Sequence, residues 1–278
     1  MNTLKTLFLI LLFGCTTIVQ SQNKAFEVTV TGTGDPILLF PGFTCTATVW
    51  DDTVAELSKE FECHVFTFAG FGEVPPIEKP WLPKIKAGIE AYIIQNNLNA
   101  PIVIGHSLGG TLGLWLAAEN TDYKKIIVVD ALPATGALMI PNYKSEDITY
   151  NTPYNKQLLA MDDAAFLTMA NQMAIGMSLK EEKRQQIADW ILNADRETYV
   201  YGYTDLLKLD LRADLVKIKT PVIILAAMHP YGEMVKKTYH EQYKYLEKYD
   251  IKFAENAAHF IMYDQPEWFL SQVKAQLK

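Results

Sequence analysis

Ile102-Val103-Ile104-Gly105-His106-Ser107-Leu108-Gly109-Gly110-Thr111-Leu112-Gly113 runs from an apolar β-branched stretch, through a glycine-flanked serine, into an apolar helix-like pattern. Gly105 to Gly109 is therefore a Gly-x-Ser-x-Gly elbow in the setting that motif needs: strand, sharp turn, helix. Serine in such a turn holds a strained backbone conformation, and the chain around it leaves no room for a Cβ at the flanking positions. Its hydroxyl then stands exposed at the carboxyl end of a strand. A helix amino terminus behind it favours developing negative charge. A phosphate-cradling loop is the competing reading of such a turn. That loop would need Lys followed by Ser or Thr after its last glycine, and Gly110-Thr111 lacks the lysine.

Around the elbow lie 278 residues, 49% hydrophobic, enough for one large α/β domain with a full core and too few for two domains with linkers. The net charge of -7 argues against a nucleic-acid partner or an anionic membrane surface. Residues 1–21 differ from the rest: Lys5 supplies a positive charge, Leu7 to Phe13 is unbroken apolar sequence, and Val19-Gln20-Ser21 offers small residues for cleavage. This predicts a secretory signal peptide cut after Ser21, too short for a stable membrane span, followed by a single domain over 22–278. The chain is then expected to be periplasmic or secreted. Leu12-Phe13-Gly14-Cys15 resembles a lipoprotein box and leaves lipid anchoring through Cys15 as the alternative, although Phe13 fits that box poorly. Export would leave Cys45 and Cys63 in an oxidising compartment. They are expected at opposite edges of the sheet, too far apart for a disulfide.

Strand-like and helix-like segments alternate, as in a mostly parallel sheet with helices on both faces. Strands are predicted at 26–31, 37–40, 64–68, 102–104, 126–129, 222–225 and 251–253, the inner ones continuous Ile, Val and Leu runs typical of strands buried on both faces. From Ala131 to about Asp205 no strand signal interrupts a series of helix-like stretches. This predicts a helical cap over 131–205, above the carboxyl ends of the strands, with Pro133 and Ala134 at its hinge.

Pro41-Gly42-Phe43, Gly70-Phe71-Gly72, the Ser107 elbow, Asp210-Leu211-Arg212 before Thr220-Pro221, and His259-Phe260 occur in an order that resembles the α/β-hydrolase superfamily, from Phe26 to the carboxyl terminus. The resemblance implies a Ser…acid…His triad in that chain order and a cap after the sixth strand of the usual set. Only one strand precedes Ile37, so the first strand of that set is expected to be missing.

A serine needs an adjacent base, and the chain has five histidines. His259 lies in the loop after the last strand, where the superfamily places its base; His64 and His240 read as structural, and His229, after a strand end, as a minor candidate. The acid departs from the common pattern. Most relatives carry Asp shortly after the seventh strand, but Leu225 to Glu233 contains none. Asp130, ending the sixth strand at the sheet edge that carries Ser107, is favoured as the acid; Glu233, reaching back with its longer side chain, is the alternative. The oxyanion hole is expected from the backbone N–H groups of Leu108 and Phe43. Candidate pocket residues are Phe43, His106, Pro133, Met169 and Met173. Phe166, Met169, Met173 and Met177 share one helical face, which fits either a substrate wall or ordinary packing.

These features imply an exported serine hydrolase acting on small to medium carboxylic esters, lactones or thioesters through an acyl-enzyme on Ser107. A catalytically weak ligand-binding protein and an acyltransferase on the same fold stay open as alternatives. No metal or organic cofactor is expected. The expected partner is a small-molecule ester, and oligomeric state leaves no sign in the sequence.

Overall fold

The computed structural model describes residues 24–120 and 122–277. The expected signal segment and Cys15 lie outside the described residues. Seven strands form one sheet: β1 (Phe26–Thr31), β2 (Asp35–Phe40), β3 (Phe61–Phe68), β4 (Ile102–His106), β5 (Lys125–Val129), β6 (Val222–Ala227) and β7 (Tyr249–Ala254). Their order is β1-β3-β2-β4-β5-β6-β7. β1 runs antiparallel to β3, and all other pairs are parallel. Each predicted strand is present, extended by up to three residues at an end. The side chains of Ile37 to Phe40, Val103, Ile104 and Ile126 to Val129 are fully buried, so these strands need no polar face.

Helices cover the sheet: α1 (Asp51–Leu57), α2 (Trp81–Gln95) and α3 (Leu108–Glu119) precede β5. Five more fall between β5 and β6: α4 (Thr135–Met139), α5 (Pro153–Ala160), α6 (Asp163–Met177), α7 (Glu181–Leu192) and α8 (Arg196–Lys208). These are the helical cap. Its last helix continues three residues past the expected boundary at Asp205. After β6 come α9 (Glu233–Gln242), α10 (Ile261–Asp264) and α11 (Pro266–Leu277). Among the described residues no helix is long and apolar enough to cross a membrane.

Two carboxylates fasten the cap to the sheet domain. Asp205 on α8 accepts from the backbone N–H groups of Trp81 and Leu82, at 2.6 and 3.0 Å, and so satisfies two of the free donors at the start of α2. Asp264 accepts from the Ser178 hydroxyl at the end of α6 and from the N–H of Ala258 in the loop carrying His259. Gly70 explains its place in the motif pattern. Its φ is +83°, and a Cβ there would lie 2.4 Å from the Thr198 hydroxyl of α8, so only glycine lets the cap helix seat.

Cys45 and Cys63 are both free and buried. Burial pushes the Cys63 thiol up to about 11 and raises that of Cys45 as well.

Candidate active site

The elbow is built as its sequence demands. Ser107 has φ +53° and ψ -120° between the end of β4 and the first residue of α3. A Cβ on Gly105 would sit 2.2 Å from the carbonyl oxygen of Gly109, and one on Gly109 would sit 2.3 Å from that of Phe40. Both contacts are with backbone, which cannot step aside. The parallel ladder also runs one peptide past the strands: Ser107 N–H donates to Val129 O and Asp130 N–H to Leu225 O, each at 2.8 Å. Nucleophile and acid candidates are thus fixed at matching levels on adjacent strands.

His259 stands in the loop after β7, and its Nδ1–H donates to Asp130 Oδ2 at 2.7 Å. That bond leaves Nε2 as the basic nitrogen, the tautomer a general base on serine requires. The other oxygen of Asp130 accepts from the N–H of Ala227 at 2.9 Å and from the hydroxyl of Tyr239 at 2.8 Å. Glu233 does not reach the site. It begins α9 as an exposed side chain paired with Lys236 at 2.6 Å, because the helix turns its first residue outward. His229 is exposed as well and does not line the site.

His106 is fully buried against the rings of His259 and Phe260, with centroids 4.6 and 4.7 Å away. Its Nε2–H donates to the backbone carbonyl of His259 at 2.9 Å. A carbonyl can only accept, so the neutral ring carries its lone pair on Nδ1, which has no partner among the described residues and faces Gly42. Burial, and then the nearby His259, hold the His106 ring well below the usual histidine range. His259 is therefore held at both ends, its ring by Asp130 and its main chain by His106.

The expected oxyanion donors lie where the fold leaves N–H groups free. Leu108 opens α3, and a helix's first N–H groups have no intrahelical acceptor. Phe43 lies in a tight turn after β2, closed by Cys45 N–H to Gly42 O at 3.1 Å, with Thr44 at φ +67°. Among the described residues neither N–H donates to a protein acceptor.

A cavity of about 170 Å³ joins these parts. Ser107, His106, His259 and Phe260 line one side, with Gly42 to Cys45 beside them. The cap closes the other side with residues one or two helical turns apart: Met173 and Met177 of α6, Ile187 and Ile191 of α7, and Tyr199, Tyr203 and Leu206 of α8. Among the described residues no Asp, Glu, Lys or Arg borders it. Burial also keeps its phenols neutral, with Tyr203 pushed up to about 12. A larger concavity, about 440 Å³, lies between residues 76–81 and α8, but neither Ser107 nor His259 touches it.

Of the predicted pocket residues, Phe43, His106 and Met173 line the cavity, whereas Pro133 and Met169 do not. Pro133 is buried and turns its carbonyl to the N–H of Leu211 at 3.0 Å, so it anchors the chain leaving the sheet. Met169 is one turn before Met173 and packs against the core instead. Phe166 is buried under the Arg196 guanidinium, 3.7 Å from its ring. The methionine face thus divides into wall and packing. Among the described residues no cluster of three or more His, Cys, Asp or Glu could hold a metal ion.

A family model for the alpha/beta hydrolase family matches residues 37–272. The chain belongs to that family. Solved α/β-hydrolases share the architecture: the enol-lactonase of Burkholderia xenovorans superposes with a TM-score of 0.76 at 16% identity, covering 91% of this chain and 96% of that one. Among curated relatives, the biotin biosynthesis bifunctional protein of Cellvibrio japonicus is 23% identical over 243 residues. That match takes in 86% of this chain and 46% of the relative, so the chain spans about half of that protein's length. The pimeloyl-(acyl-carrier protein) methyl ester esterase of Vibrio cholerae is 24% identical over 200 residues, 70% of this chain and 76% of that protein.

Sequence reasoning left Tyr203 open between wall and packing, and missed Tyr239, the wall contributed by α7, and Tyr199 and Leu206 of α8. The i, i+4 spacing of Ile187 with Ile191 and of Tyr199 with Tyr203 was the available signal, though only the fold shows which faces meet Ser107.

Proposed function

We propose that this α/β-hydrolase is an exported serine hydrolase that cleaves small to medium, uncharged carboxylic esters, and lactones or thioesters by the same chemistry. The observation that carries the reading is the Asp130–His259 bond at the strand ends, beside a strained Ser107 in one apolar cavity. Ser107 Oγ attacks the carbonyl carbon while His259 Nε2 takes its proton. The N–H groups of Phe43 and Leu108 receive the charge that develops on the carbonyl oxygen. Asp130 stabilises the imidazolium and holds its tautomer. Collapse expels the alcohol, protonated by His259, and leaves an acyl-Ser107 that water, activated by the same histidine, hydrolyses.

Among its relatives and structural neighbours are a methyl ester esterase and an enol-lactonase, which supports ester and lactone substrates. A lining without charged side chains supports uncharged ones, since an ion buried without a partner is strongly disfavoured. For scale, an apolar cavity of about 150 Å³ holds a benzene, so a site of this size takes a short acyl group. Export rests on the character of residues 1–21; amino-terminal sequencing of exported protein should begin at Gln22, and a lipid-modified Cys15 would replace this with anchoring.

The direct test is hydrolysis of p-nitrophenyl esters from acetate to decanoate by residues 22–278, beside Ser107→Ala. Turnover of short esters that disappears in the variant is expected. Equal turnover by both proteins would remove Ser107 as the nucleophile.

A further inference from the structure

We propose that Tyr239 is a positioning residue for the reaction: its buried hydroxyl, on a helix outside the cavity, orients and tunes Asp130 and through it His259. This rests on the assignment of Asp130 as the acid. Asp130 leaves β5 in a conformation that has to be held. Its backbone is left-handed, with φ +45°, a conformation disfavoured for any residue with a Cβ and kept only where the surroundings impose it. Helix α9 and Tyr243, the residue that caps it, supply that imposition with three side chains spaced i, i+3 and i+4. The Tyr239 hydroxyl donates to Asp130 Oδ1 at 2.8 Å. The Tyr243 hydroxyl donates to Ala131 O at 2.7 Å. The Gln242 amide meets both N–H and carbonyl of Ala134, at 3.2 and 3.0 Å. One face of α9 therefore grips the segment Asp130 to Ala134 as it leaves the sheet for the cap.

Only the first of these bonds reaches the carboxylate. Oδ2 is committed to His259, while Oδ1 is shared by Tyr239 and the N–H of Ala227. Ala227 ends β6, just before the stretch where most relatives are expected to carry the acid; here a backbone N–H reaches across from that strand to steady the carboxylate of its neighbour. Burial, and then the Asp130 charge, hold the Tyr239 phenol far above its ordinary range, so it stays a donor. The charged or titratable groups facing this pair are His259, Tyr239 and Tyr243, with His106 behind His259. The hydroxyl and the Ala227 N–H together hold Oδ1, which fixes how Oδ2 meets the imidazole; without the hydroxyl Oδ1 keeps only the N–H, and the carboxylate is freer to turn away from His259.

The test is Tyr239→Phe, which keeps the ring and deletes the donor, assayed on p-nitrophenyl butyrate across roughly pH 5 to 9. Losing one bond to a charged group predicts a fall in kcat of about tenfold with KM little changed. The acid limb of kcat/KM is expected to move, because that limb reads the carboxylate's hold on the base. In an Asp130→Asn background the same substitution is expected to add no further loss, because its route to His259 is already cut. Tyr243→Phe, which frees only a backbone carbonyl, should lower Tm and leave the limb in place. A Tyr239→Phe enzyme with wild-type kcat and pH profile would overturn the proposal, as would an equal loss in the Asp130→Asn background. Wild-type activity in Asp130→Asn alone would instead overturn the assignment of the acid beneath it.

Discussion

At the carboxyl ends of β2, β4 and β5 stand three non-glycine residues with left-handed backbone, Thr44, Ser107 and Asp130, whereas the cap between residues 135 and 208 holds one, Asn142. The glycines divide less sharply. Gly105 and Gly109 each face a carbonyl oxygen at 2.2 to 2.3 Å from where a Cβ would be, as does Gly136 of α4 at the base of the cap, 2.2 Å from Leu207 O, while Gly176 of α6 has nothing within 4 Å. The strand ends fix the candidate reacting groups through the main chain, with strain offset by ladder bonds and buried donors. The cap works through side chains: methionine, isoleucine and tyrosine on ordinary capped helices, Asp162 and Asp195 closing the amino termini of α6 and α8. Backbone placement tolerates no drift, so it suits chemistry. Side-chain lining can change one residue at a time, so it suits selection among substrates.

The contrast breaks first at the triad. Ser107→Ala should lower kcat by roughly 10⁵-fold, and Asp130→Asn by about 10³ to 10⁴-fold, with Tm within a few degrees of wild type; steady-state kinetics and calorimetry decide. A fall of less than tenfold in either would detach chemistry from the strand ends. Gly105→Ala should then remove about 3 kcal/mol of stability by forcing a methyl into backbone. Gly176→Ala should add up to about 0.5 kcal/mol. Urea titrations of the two variants would erase the comparison if their shifts were equal.

In the cap, effects are expected on preference rather than rate. Met177→Ala and Met173→Ala each widen the cavity and should move the best p-nitrophenyl ester to a longer acyl chain. Met169→Ala, which only packs, should lower stability by about 2 kcal/mol and leave that optimum alone. A shift in the optimum with Met169→Ala would place it at the wall after all.

Two smaller effects sharpen the boundary. Burial keeps the folded His106 neutral, below its ordinary value, while the unfolded chain takes up that proton as pH falls through about 6.5. Stability is therefore lost on acidification below that value, by up to about 1.4 kcal/mol per pH unit from this group. Comparing unfolding free energies at two acidic pH values, the slope should flatten in His106→Gln. Smallest of all, Glu233→Gln breaks an exposed ion pair and should leave kcat/KM within about twofold.

The sequence disclosed most of what the main chain does. Seven strands followed from runs of Ile, Val and Leu that leave no polar face, and the elbow from glycines whose lack of a Cβ is a local requirement. Asp130 emerged by contrast, since the stretch after β6 offers no Asp and one strand end offers another. What stayed hidden depends on depth and on contacts far apart in the chain. Met169 and Met173 share a helical face and differ by about 6 Å along its axis, enough to separate packing from cavity wall, and no pattern encodes where the cavity begins. Tyr239 lies in a helix of mixed polar character, and its bond to Asp130 spans 109 positions. Pro133 reads as a pocket edge because it follows Asp130 closely, yet its carbonyl is turned to Leu211.

The central claim, that the strained serine at the end of β4 is the nucleophile of this fold, is tested most directly by mapping covalent labelling with a serine-reactive fluorophosphonate by peptide mass spectrometry. One adduct per chain is predicted, on the peptide containing Ser107, slowed strongly in Asp130→Asn and absent in Ser107→Ala. Labelling at another residue, or undiminished labelling of Ser107→Ala, would contradict it.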